Sequence, residues 1–223
     1  MVMHNVINNL ISIEDELKIK INNLNLTNFN PNIIAVSKTF GIRDILPLIN
    51  HGHIHFGENK VQEALEKWTD IKNDFKNIKL HMVGKLQTNK VKFVIPLFDY
   101  IHSLDNLKLA EKISKEQKKK NKIIKLFIQI NIANEKQKNG ILIEELDSFY
   151  NVCVKDLNLN IIGLMCLPPD DNKSSIYFSK IQNLTEKMNL KEISMGMSND
   201  YLEAITYKAT YLRIGTKIFG ERS

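Results

Sequence analysis

Ile33-Ile34-Ala35-Val36-Ser37-Lys38 decides how this chain is read: four apolar residues make a buried strand, and a hydroxyl and an amine close it. Similar short runs recur at 54–56, 80–83, 100–103, 124–131, 161–166, 192–195 and 211–214. Most are rich in Ile, Val or Phe and bounded by Gly, Asn, Pro or Asp, as strands are. Between them lie segments with helical spacing. Over 58–75, Val61, Leu65, Trp68 and Ile71 share one stripe, and 141–157 continues the pattern through Leu142, Leu146, Phe149 and Val152. Strands alternating with helices predict a parallel sheet. Eight such units predict an α/β chain folded as a closed (β/α)8 barrel, with an open doubly wound sheet as the alternative. Ahead of them, 5–24 carries Val6, Leu10, Ile13, Leu17, Ile21 and Leu24 at three- and four-residue steps, so an extra N-terminal helix is expected.

The 223 residues suit one large core, and no low-complexity linker divides them, so a single domain over 1–223 is expected. An apolar share of 43% and a charged share of 25% belong to an ordinary soluble globule. Cys153 and Cys166 make no disulfide framework and no zinc-ligand spacing, which points to a reducing compartment. Residues 1–9 lack the basic head and apolar stretch of a secretion signal, and no run approaches the roughly 20 apolar residues of a membrane span. A cytoplasmic protein without a membrane partner is expected. The formal charge of +6 is spread along the chain. Its densest cluster, around Lys118-Lys119-Lys120, falls where a helix should end and lacks the interleaved aromatics of a stacking surface. Nucleic acid is therefore not an expected partner.

In such a barrel the reactive face is built from the segments that follow the strands. Those positions hold Lys38, Gly57-Glu58-Asn59, the stretch from Gly84 to Lys90, Ser103, Asn131, Met165-Cys166, Ser194 to Ser198, and Arg213-Ile214-Gly215-Thr216. The last two matter most, because phosphate groups often bind beside the loops after strands seven and eight. Ser198, Gly215 and Thr216 offer small donors there, and Arg213 offers charge. A lysine ending a strand ordinarily carries its amine to solvent. Lys38, however, follows four apolar residues and precedes Phe40, and a desolvated amine has a lone pair free to attack an aldehyde. An imine-forming lysine opposite a phosphate socket would fit a phosphorylated carbonyl compound, and pyridoxal 5′-phosphate carries both handles. His51, His53 and His55 stand at alternate positions, which on a strand face one way and do not converge on one ion, and His51 falls at the preceding helix end, so a metal site is not expected. His81 is expected to fill the core.

Several longer strings resemble one family. They include Ala35-Val36-Ser37-Lys38-Thr39, Phe56-Gly57-Glu58-Asn59-Lys60-Val61-Gln62-Glu63 and His81-Met82-Val83-Gly84-Lys85-Leu86-Gln87-Thr88-Asn89-Lys90. Further on stand Gln129-Ile130-Asn131, Gly163-Leu164-Met165, Ser194-Met195-Gly196-Met197-Ser198 and Arg213-Ile214-Gly215-Thr216-Lys217-Ile218-Phe219-Gly220. Along nearly its whole length the chain resembles the YggS/PROSC proteins, the pyridoxal phosphate homeostasis proteins. The resemblance implies a monomeric barrel of the alanine racemase type with the cofactor in Schiff-base linkage to Lys38. It also implies phosphate contacts from Ser198, Arg213, Gly215 and Thr216, a cofactor border at Asn59, and cofactor roles for His81 and Met165. Lys85 stands where relatives often have Pro or His. In 134–140 a Lys and a Gly stand where relatives have Lys-Ser-Gly or similar, which leaves a secondary contact through Lys138, Lys85 or Lys90 open.

Two function classes follow. A carrier would hold pyridoxal 5′-phosphate reversibly, contribute to vitamin B6 homeostasis, and hand the cofactor to transient apo-enzyme acceptors. A racemase-type enzyme would need a second base near Lys38, and the strand-end segments offer no tyrosine beyond Tyr100 and Tyr201. Alanine racemases supply that tyrosine from a C-terminal β domain, whereas this sequence stops at Ser223. The expectation is a carrier without catalytic residues, with weak amino-acid activity as the alternative. An imine-forming aldolase fits less well, since Glu58 is the one carboxylate expected on the rim.

Overall fold

The computed structural model describes residues 3–135 and 138–221; Met1, Val2, Lys136, Gln137, Arg222 and Ser223 lie outside the described residues. All eight expected strands form: β1 (Asn32–Val36), β2 (His55–Glu58), β3 (Lys79–Met82), β4 (Tyr100–Leu104), β5 (Lys125–Ile130), β6 (Ile161–Cys166), β7 (Glu192–Ser194) and β8 (Tyr211–Ile214). They pair in chain order, every pair is parallel, and β8 returns to β1, with Asn32 opposite Tyr211 and Ala35 opposite Ile214. The barrel is closed, so the open-sheet alternative falls away. Alternation decides which side chain goes where. In β1, Ile34 and Val36 enter the barrel, whereas Ile33 and Ala35 pack outward against the helices.

The helices are α1 (Met3–Asn23), α2 (Ile42–Asn50), α3 (Val61–Asp74), α4 (Val91–Leu97), α5 (Leu107–Lys120), α6 (Leu146–Asn151), α7 (Ser174–Lys187), α8 (Tyr201–Thr206) and α9 (Thr216–Phe219). The extra helix α1 has a structural task. Helix α9 is a single turn and cannot cover the seam where β8 meets β1. Val6, Leu10, Ile13 and Leu17 of α1 are almost wholly buried and pack there against α2, α8 and α9, each contributing about 1.5–3 kcal/mol. Polar ties finish the join: Asn9 Nδ2 donates to Ile218 O at 2.9 Å, and Lys217 Nζ pairs with Glu16 at 2.8 Å. One helix departs from expectation. The stretch 141–157 is a 3₁₀ turn at Ile143–Glu145, then α6, then a π turn over Val152–Asp156. The wider turn, closed by Leu157 N donating to Val152 O, leaves Cys153 fully buried.

The barrel interior is only half apolar. Ile34, Val36, Tyr100, Phe127, Met165 and Tyr211 form its hydrophobic cluster. Among them runs a file of hydrogen-bonded imidazoles. His55 Nδ1 and His81 Nε2 are 2.9 Å apart, His81 Nδ1 and His102 Nε2 are 2.9 Å apart, and His102 Nδ1 meets Ser194 Oγ at 2.8 Å. Neighbouring rings clamp the file: His81 stacks on Tyr100 at 4.2 Å and His102 on Phe127 at 4.3 Å. Burial pushes His81 and His102 well below the usual imidazole value, with the His102 and Arg213 charges respectively adding to it. His53 and His55 are pushed down to about 4, first by burial. The charges facing the file are Arg213, Lys72, Lys79 and Lys125, opposed by Asp99.

These rings are neutral in the fold and protonate once the chain unfolds, so stability is full above the ordinary pKa of 6.5 and falls as pH drops below it. The loss continues to about 4, where His53 and His55 take up protons in the fold as well. Urea unfolding should therefore show a midpoint that drops between about pH 7 and pH 5, each ring removing up to about 1.4 kcal/mol per pH unit. A flat midpoint across that range would mean that the file accepts protons while folded.

Candidate functional site

Strand closure gathers one rim. Lys38 lies two residues beyond β1, in a turn that leaves it half-buried, and Gly215 and Thr216 lie directly beyond β8, the strand paired with β1. The Lys38 turn is held from below by a buried carboxylate. Glu58, at the end of β2, is fully buried, and its Oε1 accepts from Ser37 Oγ at 2.8 Å, Lys67 Nζ at 2.9 Å and Trp68 Nε1 at 2.9 Å. Lys67 also donates to Ser37 O at 2.8 Å and pairs with Glu63 at 3.1 Å. Glu63 in turn accepts from Thr39 N at 2.6 Å, fixing Thr39 at φ +70°, an unfavourable region for a β-branched residue. Helix α3 thus fastens both residues that flank Lys38. Glu58 was expected on the rim, but its carboxylate turns outward to α3 because three donors are buried there.

A cleft of about 490 Å³ opens at this rim. Of the eight residues singled out in the sequence, Lys38, Asn59, Ser198, Arg213, Gly215 and Thr216 line it. The other two do not. His81 and Met165 are fully buried in the barrel interior, since their inward-facing strand positions lie within the barrel and not at its rim. The sequence alone does not point to the loop after β6, where Leu167-Pro168-Pro169-Asp170 forms a wall of the cleft, or to Asp200, which adds a carboxylate. Consecutive prolines at a strand end were the available signal. Gly84 explains the tight fit of the opposite wall, because a β-carbon there would overlap the carbonyl oxygen of Asn59. Asn59 itself has a buried Oδ1 that meets no donor among the described residues.

The floor is charged. Arg213 is 5% exposed and donates from Nη1 to Ser194 Oγ at 2.6 Å and from Nη2 to Cys166 O at 2.8 Å. Burial pulls it below the ordinary arginine value, and Asp200 acts in the other direction. The Cys166 thiol is pushed up to about 12 by burial, so it is no nucleophile. The loop after β7 is drawn tight by Gly196 at φ +88°, by Arg213 N donating to Gly196 O, and by Met197 N donating to Asp200 Oδ1. Ser198 Oγ accepts from Lys217 N at 3.3 Å, which joins this loop to the one after β8. An amine on one wall faces hydroxyls, a glycine and a guanidinium on the other. That donor set suits a small ligand with a carbonyl at one end and an anionic group at the other.

The other lysines raised by the sequence stand apart. Lys85 donates to Asn139 Oδ1, Lys138 pairs with Glu135, and neither these nor Lys90 lines the cleft. A larger depression of about 730 Å³ lies outside the barrel between α3, α4 and α5. Its Lys72 and Lys122 are spent on main-chain carbonyls of residues 96–98. Among the described residues no group of three His, Cys, Asp or Glu side chains could hold a metal ion, and no helix is long and apolar enough to cross a membrane.

A closed (β/α)8 barrel with this amine and anion-type donor set at its C-terminal mouth defines a small-ligand barrel of the alanine racemase type. The family model for the alanine racemase N-terminal domain matches residues 15–223, and the chain belongs to that family. The pyridoxal phosphate homeostasis protein of Aquifex aeolicus is 36% identical over 199 residues, which cover 85% of this chain and 86% of that protein. The pyridoxal phosphate homeostasis protein of Haemophilus influenzae is 32% identical over 229 residues, covering 98% and 97%. PipY of Synechococcus elongatus PCC7942, solved with PLP bound, superposes with a TM-score of 0.82 at 29% identity, covering 96% of this chain and 100% of PipY.

The Glu58 anchor is directly testable. Lys67→Met leaves a carboxylate with a side-chain exposure of 0% without its cation, so urea unfolding should show a loss of about 3–5 kcal/mol. A loss below about 1 kcal/mol would mean that the Lys67–Glu58 pair does not anchor the turn.

Proposed function

We propose that this protein holds pyridoxal 5′-phosphate reversibly in imine linkage to Lys38 and takes part in intracellular vitamin B6 homeostasis. One observation carries the reading: Lys38 and the set Ser198, Arg213, Gly215 and Thr216 line one cleft, although they come from opposite ends of the chain. The volume of about 490 Å³ lies within the range of small-cofactor sites. The names of the relatives and the PLP in PipY agree with it.

When bound, the cofactor supplies an electron-withdrawing ring and a reactive aldehyde. The protein's part is to bind and orient. Ser198 and Thr216 offer hydroxyl donors to the phosphate, Gly215 lets it approach the main chain, and Arg213 supplies charge at the floor. Asn59 borders the ring, while His81 and Met165, fully buried within the barrel, support the floor from behind. We assign a carrier role without amino-acid turnover. In support, the described lining holds neither histidine nor tyrosine, so a second proton acceptor would have to be Asp170 or Asp200. The protein acts as a cytoplasmic monomer that meets apo-enzyme acceptors transiently, a setting that suits two buried, free cysteines.

Purified protein mixed with pyridoxal 5′-phosphate should develop a visible imine band that borohydride fixes on the Lys38 peptide. Lys38→Ala should lose the band and keep the far-ultraviolet circular dichroism of the parent; a persistent band would move the linkage to another lysine. Ser198→Ala combined with Thr216→Ala should weaken retention by about 1–3 kcal/mol per donor in a dialysis titration. Amino-acid turnover by the loaded protein would favour the racemase-type reading.

A further inference from the structure

The imidazole file ends on Arg213, and that fixes its polarity. An arginine can only donate, so Ser194 Oγ must accept from Nη1 at 2.6 Å. Ser194 is fully buried, and among the described residues its hydroxyl has one other hydrogen-bond partner, His102 Nδ1 at 2.8 Å. Its hydroxyl proton therefore goes to His102 Nδ1. His102 must then carry its proton on Nε2 and donate to His81 Nδ1, and His81 must do the same to His55 Nδ1. The opposite arrangement would turn a positive dipole end toward a guanidinium and strand the serine proton in the core. Every hydrogen bond in the file points away from Arg213. The file starts on β8 under the cleft, crosses the interior on β7, β4 and β3, and ends at His55, the half-buried first residue of β2 at the opposite mouth.

The choice of neutral rings has a consequence for the cleft. A carboxylate in place of Ser194 would neutralise the guanidinium in a local ion pair. A chain of polarised neutral groups holds the guanidinium in place and leaves its charge facing the cleft. We propose that Ser194, His102 and His81 are positioning residues for the cleft, a one-directional relay that orients Arg213, preserves its charge for an electron-rich ligand, and transmits ligand arrival to His55 on the far side of the barrel. With pyridoxal 5′-phosphate in the cleft, as proposed for its function, Arg213 shares its donors and field with the ligand, its pull on Ser194 slackens, and each ring responds in turn. No proton changes owner; the polarisation of the file changes.

The test is nitrogen NMR of protein labelled at histidine, read beside the visible imine band. In the free wild type His81 and His102 should each be a single neutral form protonated at Nε2. Stoichiometric pyridoxal 5′-phosphate should raise the imine band and shift both resonances, while the exposed His51 outside the file stays put. Ser194→Ala should still form the band, with the dissociation constant raised about 10- to 100-fold, and His81 should no longer respond. Should that variant not fold, the wild-type titration decides alone. A band that forms in the wild type while His81 and His102 stay unmoved overturns the relay, as does a Ser194→Ala protein that binds and responds like its parent. No band in the wild type overturns the pyridoxal phosphate reading instead, and the relay is then judged in the free protein, where mixed tautomers would sink it.

Discussion

The return of β8 to β1 is the contact on which the site depends. Four residue pairs, from Asn32 opposite Tyr211 to Ala35 opposite Ile214, close a ring that begins and ends at the two extremes of the chain. Without that seam, Lys38 and Gly215-Thr216 would belong to unrelated surfaces. Parallel pairing also puts both on the same mouth, because each strand then ends on the same side. Helix α1 is best understood as a guard on this seam. Its apolar stripe does what the single turn of α9 cannot, and its Glu16 reaches Lys217 beside the loop that Ser198 joins.

A second principle is that each half of the cleft is stiffened by something buried behind it. On the amine side a carboxylate with no exposed surface gathers donors from Ser37, Lys67 and Trp68, and Glu63 holds Thr39 in an unfavourable backbone region. On the anion side Ser194 and Cys166 O grip Arg213. Both devices take polar groups out of water, which is tolerated only because nearly every one finds a partner. The exceptions are informative. Glu58 Oε2 and Asn59 Oδ1 are buried without a partner among the described residues, and Asn59 borders the cleft, where a ligand donor can reach it.

Much of this was legible in the residues. The eight apolar runs mark every strand with ends no more than two residues away, since a strand buried on both faces must be apolar along its length. The α1 stripe was visible for the same reason. The stretch 141–157 misled because periodicity reports which residues are apolar and not how the main chain turns; a π turn keeps the stripe while breaking the helix. Six of the eight singled-out residues line the cleft because strand ends face one mouth. His81 and Met165 carry the same strings but sit one layer lower, and depth along a strand is set by barrel tilt and register, which no local pattern encodes.

The amino-acid order by itself determined a chain of alternating strands and helices, an amphipathic leading helix, and a set of chemically apt residues after the strands. Those follow from hydrophobic period and residue chemistry, which are local. Tertiary structure alone decided which of those residues meet, that Glu58 turns away from the rim to anchor it, and that three histidines spaced far apart in the chain join hand to hand beneath Arg213. Such pairings arise from barrel closure and the stagger between neighbouring strands. They exist only once each strand has found its partners.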